Sequence, residues 1–412
     1  MEKYSIGSQL RVFIPFALGY FLSYLYRVVN AVIAPNLVTD IGVDPSELGL
    51  LTSTYFIAFA AFQLPLGVLL DRYGPRKIEA FLLIFAGMGA WLFASAGSLT
   101  GLIIGRAFIG FGVSACLMAA FKAYVMWYPR EQLPLINGFQ MAAGGLGALA
   151  ATAPVEAALT LTDWRGVFMG LAVLTFVIAA TVYFIVPEGA VAGGDSKFSE
   201  QIRGTKSVFA SLVFWRIAPL TTLSQSTFLS IQGLWAGPWL RDVAGFDRSN
   251  VAGTLLLVAT AMIAGFIFLG AIAERLSRYG IKPITVAVTG MSLFMVVLLL
   301  LIFELTTASV PLWVLFGFFG TSGILPYAVL SQSFPPHLSG RVNTALNLLV
   351  FVVAFTAQWG IGSVIEIWPV NAAGGYAPEG YRAAFMVMLG AQGLTWLWYV
   401  AAGAIQRRRQ MP

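Results

Sequence analysis

The chain is poor in the side chains from which most disulfides, metal centres and hydrolytic sites are built. Its 412 residues include one cysteine, Cys116, and one histidine, His337. A lone cysteine excludes an intramolecular disulfide, and the two residues together supply too few ligands for a structural zinc site. The apolar segments also contain no histidine, no paired acids and no nucleophile beside a base. We therefore expect no enzymatic activity, no metal and no cofactor.

Charged residues are also scarce. Only 10% of the residues are charged, 58% are apolar, and the mean hydropathy is +0.83. This composition excludes an ordinary soluble domain and is typical of a membrane protein with several spans. The net charge of +6 does not indicate nucleic-acid binding, because the basic residues are spread over the connections between apolar runs, where membrane topology explains them.

The apolar residues form runs of about 20, the length needed to cross a bilayer as a helix. We count twelve such runs, which predicts an all-α membrane protein with twelve transmembrane helices. They lie at roughly 12–34, 48–70, 78–97, 101–126, 132–157, 166–186, 212–238, 250–272, 282–303, 311–331, 341–366 and 382–404.

The distribution of Lys and Arg predicts the orientation. Connections on one side carry 17 basic residues, and those on the other side carry four. Because basic residues next to spans are retained in the cytoplasm, both termini are expected to be cytoplasmic, in a protein of the bacterial inner membrane. The remaining three of the 24 basic residues, Arg27, Arg106 and Lys122, lie within spans. These three are the first candidates for function, since a charge at membrane depth is costly.

The chain divides in the middle. Residues 187–209 are rich in glycine and charge, and six predicted spans lie on either side of them. We expect a six-helix bundle at 1–186, a cytoplasmic linker at 187–209 and a second six-helix bundle at 210–412. Four residues recur 203 positions later, which indicates an internal duplication. The pairs are Gly67 with Gly270, Asp71 with Glu274, Arg72 with Arg275 and Pro35 with Pro238.

A loop motif resembles a known family. The sequence Gly67-Val-Leu-Leu-Asp71-Arg72-Tyr-Gly74-Pro-Arg76-Lys is similar to the loop between spans two and three of the major facilitator superfamily of secondary transporters. Arg106-Ala-Phe-Ile-Gly-Phe-Gly resembles the family's motif in span four. The resemblance implies two six-helix halves, alternating access, and a substrate site between the halves on helices one, four, five, seven, ten and eleven.

The charges of the loop motif have two possible roles. Asp71 at a helix end, beside several cations, could hold a cytoplasmic gate through charge-assisted hydrogen bonds that break when the gate opens. Alternatively, the charges only set the topology. A topology signal requires neither an aspartate nor the two glycines, so we predict a gate. The residues assigned to it are Gly67, Asp71, Arg72, Gly74, Arg76 and Arg106 in the first half, and Glu274 and Arg275 in the second.

Arg27 is the predicted substrate anchor. It lies inside the first apolar run, eight residues before Pro35, and could alternatively extend its long side chain to the membrane surface. Its surroundings, Gly19-Tyr-x-x-x-Tyr24-x-x-Arg27-x-x-Asn30, resemble span one of the organophosphate:phosphate antiporters and organic anion transporters, in which the matching arginine binds phosphate or carboxylate. The antiporters' second arginine, in span seven, is absent here. One guanidinium matches one carboxylate, so a small organic anion is expected.

Further polar and aromatic residues within spans are candidates for the same cavity. Glutamines in span seven could bind substrate hydroxyls, and aromatic residues could line the cavity. Packing and interhelical hydrogen bonds are the alternative roles for each of them, and Lys122 could extend to the membrane surface. The predicted substrate-binding residues are Arg27, Tyr24, Asn30, Tyr124, Gln225, Gln232, Trp235, Tyr327, Asn347 and Lys122.

The coupling ion is not evident from the sequence. Every acid, Glu79 included, lies near a span end or in a loop, and Val113 stands where organic anion symporters of similar span four have a glutamate. This argues against proton coupling through a side chain. A counter-anion that neutralises Arg27, or a protonated substrate, could drive transport instead. We therefore predict a monomeric transporter of a small organic anion in the lipid bilayer, with an exporter of amphipathic compounds or a transporter-like sensor as alternatives.

Overall fold

The computed structural model describes residues 6–128, 133–188, 206–334, 338–370 and 375–410. Within these ranges the chain is helical and contains no β-strand. The chain separates into two compact units, one formed by residues 1–43 and 50–201 and the other by residues 44–49 and 202–412. Most of the predicted linker, 189–205, lies outside the described residues.

The described residues from Ile6 to Ile185 form ten helices, several of which share one predicted span; the first residues of α3 are grouped with the second unit. They are α1 (Ile6–Val28), α2 (Asn30–Ile41), α3 (Pro45–Ala61), α4 (Gln63–Tyr73), α5 (Pro75–Ser95), α6 (Leu99–Gly112), α7 (Cys116–Trp127), α8 (Leu133–Ala150), α9 (Ala153–Leu159) and α10 (Trp164–Ile185).

Eight α-helices with described bounds lie in the second unit, interrupted by shorter turns. They are α11 (Leu212–Ser230), α12 (Ala236–Asp242), α13 (Arg248–Ser277), α14 (Pro283–Ile302), α15 (Ser309–Gly320), α16 (Leu325–Gln332), α17 (Ser339–Ile365) and α18 (Pro378–Gln410). A π-helical turn, Ile231–Trp235, joins α11 to α12, and a 3₁₀ turn, Thr321–Ile324, joins α15 to α16.

The described residues provide nine helical segments that are long and apolar enough to cross a membrane. The count is ten if α1 and α2, which meet at a bend of 46°, form one span. Predicted spans two and seven account for the shortfall. Span two is divided at Phe62 into α3 and α4, and span seven is built from α11, the π turn and α12, with many hydroxyl and amide side chains. The chain is a multi-pass membrane protein, and the total of twelve spans stays a prediction.

Glycines allow α5 and α6 to pack backbone against backbone. A Cβ on Gly89 would lie 2.7 Å from the Gly105 carbonyl oxygen, and one on Gly105 would lie 2.7 Å from the Phe93 amide nitrogen. Small residues of this kind replace the hydrophobic driving force that helices lack inside lipid. The rings of Phe93 and Phe168 stack beside this contact with centroids 4.3 Å apart, so α10 packs against the same helix.

Each unit ties the end of its first span to the start of its last span through a carboxylate. In the first unit, Trp164 Nε1 and Arg165 Nη1 donate to Asp40 Oδ2 at 2.8 and 3.2 Å. In the second, Tyr381 Oη and the Tyr376 amide donate to Asp242 Oδ2 at 2.7 and 3.1 Å. The same arrangement at the same place in both units supports the internal duplication predicted from the sequence.

Removing the Asp242 carboxylate should lower the melting temperature of the purified protein. Asp242 is almost fully buried, and Arg241 donates to both of its oxygens at 2.6 and 3.0 Å. Asp242→Ala therefore leaves several donors without their acceptor, at a cost of roughly 1–3 kcal/mol. Thermal unfolding in detergent measures the loss. Arg278→Gln, which removes an exposed ion pair with Glu274, is the control and should have almost no effect; equal melting temperatures would contradict this account.

Candidate functional site

Arg27 lies in the last turn of α1, immediately before the bend into α2. Its side chain is buried, and its guanidinium carbon lies 4.4 Å from the centre of the Tyr24 ring. Two residues of α3, Tyr55 and Phe59, bring their ring centres to 5.8 and 5.9 Å. The guanidinium is therefore held among aromatic rings, which attract a cation.

Hydrogen bonds between the first span and α3 hold this arrangement. Asn30 Nδ2 donates to Thr52 Oγ1 at 2.9 Å, and Tyr55 Oη donates to the Ser23 carbonyl at 3.1 Å. The Asn30 side-chain oxygen is buried without a hydrogen-bond partner among the described residues. Asn30, a predicted substrate residue, thus uses its donor within the protein and retains an open acceptor.

Arg106 lies close to the same aromatic group from the opposite side of Tyr55. It is fully buried on α6, and its Nη1 donates to the Tyr26 carbonyl at 2.7 Å. Its guanidinium carbon lies 5.2 Å from the centre of the Tyr55 ring, so this ring stands within 6 Å of two arginines. Tyr55 was missed in the sequence analysis, because a lone tyrosine in an apolar run gives no signal that distinguishes it from packing.

Tyr124 and Lys122, the two candidates on α7, differ in their surroundings. Tyr124 is fully buried, and its hydroxyl donates to Gln140 Oε1 at 2.6 Å, while Gln140 Nε2 donates to the Phe16 carbonyl at 3.2 Å. These contacts link α7, α8 and α1 and explain the burial of Tyr124 without a ligand. Lys122 is half-buried. A contact of either residue with substrate stays a prediction.

The second unit contributes neutral polar groups from α11 and the π turn. Gln225 and Gln232 are buried, and the Oε1 atom of each has no hydrogen-bond partner among the described residues. Buried polar atoms are nearly always paired, so a concentration of unpaired ones suggests a partner from solution. Other buried oxygens in the same condition, which the sequence analysis did not single out, belong to Thr222, Ser224, Thr227 and Ser322.

The π turn itself is a departure from regular helix at the predicted site. It covers Ile231–Trp235 and therefore includes two predicted substrate residues, Gln232 and Trp235. Single π turns inside α-helices often occur at functional sites, because they redirect side chains and backbone groups. Gln232 Nε2 lies 3.7 Å from Met262 Sδ, and Trp235 Nε1 donates to the Gln358 carbonyl at 3.0 Å.

Tyr327 and Asn347 meet within the second unit. The Tyr327 hydroxyl donates to Asn347 Oδ1 at 3.3 Å, which joins α16 to α17. Both side chains are half-buried. The structure therefore brings these two predicted substrate residues together. A bound substrate could replace this hydrogen bond with one of its own.

The loop motif forms the junction of α4 and α5. Gly74 has φ +81°, a region that favours glycine, and Pro75 begins α5 directly after it. Arg76 Nη1 donates to the Val186 carbonyl at 3.2 Å, and Lys77 Nζ lies 2.6 Å from Glu188 Oε1. The Lys77 ammonium, through this bond, holds the pKa of Glu188 below its usual value. Both basic residues thus attach the loop to the end of α10.

The remaining gate candidates differ in how far the structure describes them. Gly67 and Asp71 both lie on α4, and the side chain of Asp71 is outside the described residues. Arg72 is exposed, with its guanidinium carbon 5.3 Å from the Tyr73 ring centre. In the second unit, Glu274 pairs with Arg278 at 2.7 Å, and Arg275 is exposed. The gating role of all these residues stays a prediction.

No group of three or more His, Cys, Asp or Glu side chains that could hold a metal ion occurs in the described part of the chain. The buried polar groups of the two units differ: the first holds the guanidinium groups of Arg27 and Arg106 beside aromatic rings, and the second holds hydroxyl and amide groups. Neither set provides an activated nucleophile.

Curated relatives with similar sequences are transporters. The chain is 24% identical over 279 residues to a "Probable sulfoacetate transporter SauU" of Cupriavidus necator, which covers 63% of this chain and 64% of the relative. It is 26% identical over 251 residues to the "Hexuronate transporter" of Escherichia coli K12, covering 57% and 58%. The matched part is thus less than two thirds of the length of either relative. A "Probable L-galactonate transporter" of the same bacterium is 28% identical over 165 residues, covering 40% of this chain and 36% of the relative.

Solved structures agree on the fold. A bacterial homologue of the human lysosomal transporter Spinster, in an inward-facing and occupied conformation, superposes with a TM-score of 0.75 at 16% identity, covering 97% of this chain and 98% of that one. The nucleoside transporter NupG gives 0.75 at 14% identity, covering 96% and 98%. At such identities the likeness shows the fold alone.

A family model brings these findings together. The model described as "Major Facilitator Superfamily" matches residues 16–358. The resemblance predicted from the loop motif is confirmed, as is the expectation of a transport protein rather than an enzyme. With this match extending over most of its length, the chain belongs to the Major Facilitator Superfamily.

Proposed function

We propose that the protein is a secondary transporter that moves a small organic anion across the bacterial inner membrane by alternating access. The expected charged group of this anion is a carboxylate. The observation that carries this proposal is the buried guanidinium of Arg27, held among Tyr24, Tyr55 and Phe59 in a membrane helix. A charge in this position is costly and is retained where it binds a charged substrate. Twelve spans with both termini cytoplasmic complete the proposed topology.

The buried polar groups of the two units favour an anion with one charged group that binds Arg27 and with further hydroxyl or carbonyl groups. A guanidinium fork binds one carboxylate or sulfonate through two parallel hydrogen bonds. The buried oxygens of Gln225, Gln232 and their neighbours on α11 accept hydrogen bonds from substrate hydroxyls. Relatives named for sulfoacetate, hexuronate and L-galactonate all have anions in their names. Their printed substrates guide the choice of compounds to test.

The loop between α4 and α5 is the proposed cytoplasmic gate. Its fixed point is Gly74, and its basic residues are attached to α10 by Arg76 and Lys77. An aspartate at the end of α4, Asp71, gives the gate a charge-assisted contact that forms and breaks once in each transport cycle. Glu274 and Arg275 provide the corresponding charges of the second unit.

Export of amphipathic compounds is the second candidate, because three aromatic rings surround Arg27. Such compounds are commonly cationic or neutral, and a buried guanidinium repels the cationic ones. The two functions therefore differ in which ligands stabilise the purified protein.

Arg27→Ala should abolish the thermal stabilisation that anions give to the wild-type protein. A ligand that binds only the folded state raises its melting temperature, so a panel of carboxylates, sugar acids, sulfoacetate and phosphate esters reports binding directly. Arg27→Lys keeps the charge but loses the planar fork, and should weaken binding by about tenfold to a hundredfold. Arg278→Gln, on the exposed surface, is the control. Unchanged shifts in Arg27→Ala would refute the site, and shifts caused only by hydrophobic cations would favour the exporter.

Asp71→Asn should slow transport and leave anion binding intact. The substitution removes the charge on which the gate contact depends but does not touch the proposed anion site. The initial rate of uptake into proteoliposomes and the thermal shift with the same anion separate the two effects. Glu379→Gln, an exposed acid in the first turn of α18, is the matched control and should transport at the wild-type rate. A loss of binding in Asp71→Asn would argue against a gating role.

A further inference from the structure

A buried carboxyl group stands out among the acids of the first unit. Glu79 lies one turn inside α5, and its side chain is completely inaccessible to solvent. Neither carboxyl oxygen has a hydrogen-bond partner of normal geometry among the described residues. The sequence analysis placed Glu79 with the acids near span ends; its position along the helix is as expected, but its burial is not.

The carboxyl group points at the helix that carries Arg27. A Cβ on Gly19 of α1 would overlap Glu79 Oε1, and the same Cβ would lie 3.7 Å from Cys116 Sγ of α7. Gly19 therefore leaves the space into which the carboxyl fits, between α1, α5 and α7. The Cys116 thiol beside it is a weak hydrogen-bond donor and carries no charge as a thiol.

The helices packed around Glu79 carry several charged and titratable groups, including the buried Tyr20 on α1 and the half-buried Lys122 on α7. From α7, the Tyr124 phenol interacts electrostatically with Glu79. On α1, Arg11 and Arg27 lie eight residues before and after Gly19, and of these two only Arg27 is buried. On α6, Arg106 binds the Tyr26 carbonyl, and on α5 itself Arg76 and Lys77 bind groups at the end of α10. The α10 phenol nearest to them, Tyr183, faces Arg76, and on α4 Arg72 is exposed.

A carboxylate ion in this place would be poorly stabilised. Moving an ionised carboxyl group from water to an apolar interior costs several kcal/mol unless hydrogen bonds or a counter-charge compensate. The described surroundings supply a thiol and no N–H donor. A carboxylic acid, being neutral, fits the same space without that cost.

We propose that Glu79 is the site at which the protein carries a proton, and that this proton is coupled to the anion bound at Arg27. This inference rests on the proposed function and assigns its coupling ion. When Arg27 is empty, its charge attracts the ionised form of Glu79. When an anion neutralises Arg27, that attraction disappears, and Glu79 takes up a proton from the water-filled side of the cycle.

The expected strength of this coupling is scaled from the rise of α1 between Gly19, which the Glu79 carboxyl contacts, and Arg27. Gly19 and Arg27 are eight residues apart on α1, which is about 12 Å along a helix axis. Two unit charges at this distance, at an effective dielectric constant of about 20, change each other's ionisation equilibrium by roughly tenfold. By reciprocity, protonation of Glu79 strengthens anion binding by the same roughly tenfold factor.

The experiment measures anion affinity as a function of pH. The probes are sulfoacetate, D-glucuronate and L-galactonate, which stay ionised between about pH 5.5 and about pH 8. The wild-type protein should bind at least one of them up to roughly tenfold more tightly at about pH 5.5 than at about pH 8. Glu79→Gln imitates the neutral acid, so it should bind tightly throughout and lose the pH dependence. Glu379→Gln, an exposed acid in the first turn of α18, should behave as wild type.

Transport gives the second readout. In proteoliposomes, an inward proton gradient should drive accumulation of the anion by the wild type and not by Glu79→Gln. Exchange of internal for external anion moves no net proton, so Glu79→Gln should retain it. A purely structural role for Glu79 would reduce both activities together and would overturn the proposal.

The outcomes distinguish the two hypotheses. If the wild type binds none of the three anions, both the proposed function and the proposed proton site are refuted. If the wild type binds an anion and Glu79→Gln retains the same pH dependence, only the proton site is overturned. Should Glu79→Gln fail to fold, proton uptake by the wild type on addition of anion, followed with an indicator dye in weak buffer, decides the question: no uptake contradicts the proposal.

Discussion

The free-energy cost of a buried arginine is the constraint on which the first unit depends. Hydrocarbon does not solvate a guanidinium, so the protein must supply compensating groups around Arg27. It does so with aromatic rings from α1 and α3. A hydrogen bond at Ser23 joins α1 to α3, and one at Asn30 joins α2 to α3. A second buried arginine, Arg106, donates to a backbone carbonyl close to the bend between α1 and α2. Aromatic rings stabilise a cation without neutralising its charge.

The two units differ in the chemistry of their buried polar groups. The first holds the buried arginines Arg27 and Arg106, and the second holds neutral donors and acceptors along α11 and its π turn. Their helices nevertheless share one contact, since an acid at the end of the first span accepts from an aromatic donor at the start of the last, at Asp40 and at Asp242. A common structural contact is thus combined with different buried polar side chains in the two units.

The family and the helical class could be predicted from the sequence because each leaves a local signal, a loop motif and long apolar runs. The burial of Arg27 follows from its place among apolar residues, while its role as substrate anchor stays a prediction. Spans two and seven were harder, since the breaks at Phe62 and at the π turn depend on packing rather than on composition. The burial of Glu79 could not be predicted either. Its position four residues after Pro75 suggests a helix end near water, and only the space left by Gly19 on another helix shows that the carboxyl points inward.

The central claim is that one guanidinium on α1 anchors the transported anion. Exchange of radiolabelled for unlabelled sulfoacetate, D-glucuronate or L-galactonate across proteoliposome membranes tests it most directly, because exchange requires binding and the movement of the loaded site but no external driving force. The account predicts exchange of at least one of these anions by the wild type and none by Arg27→Ala. Exchange by Arg27→Ala at the wild-type rate would contradict the account and leave Arg27 with a structural role.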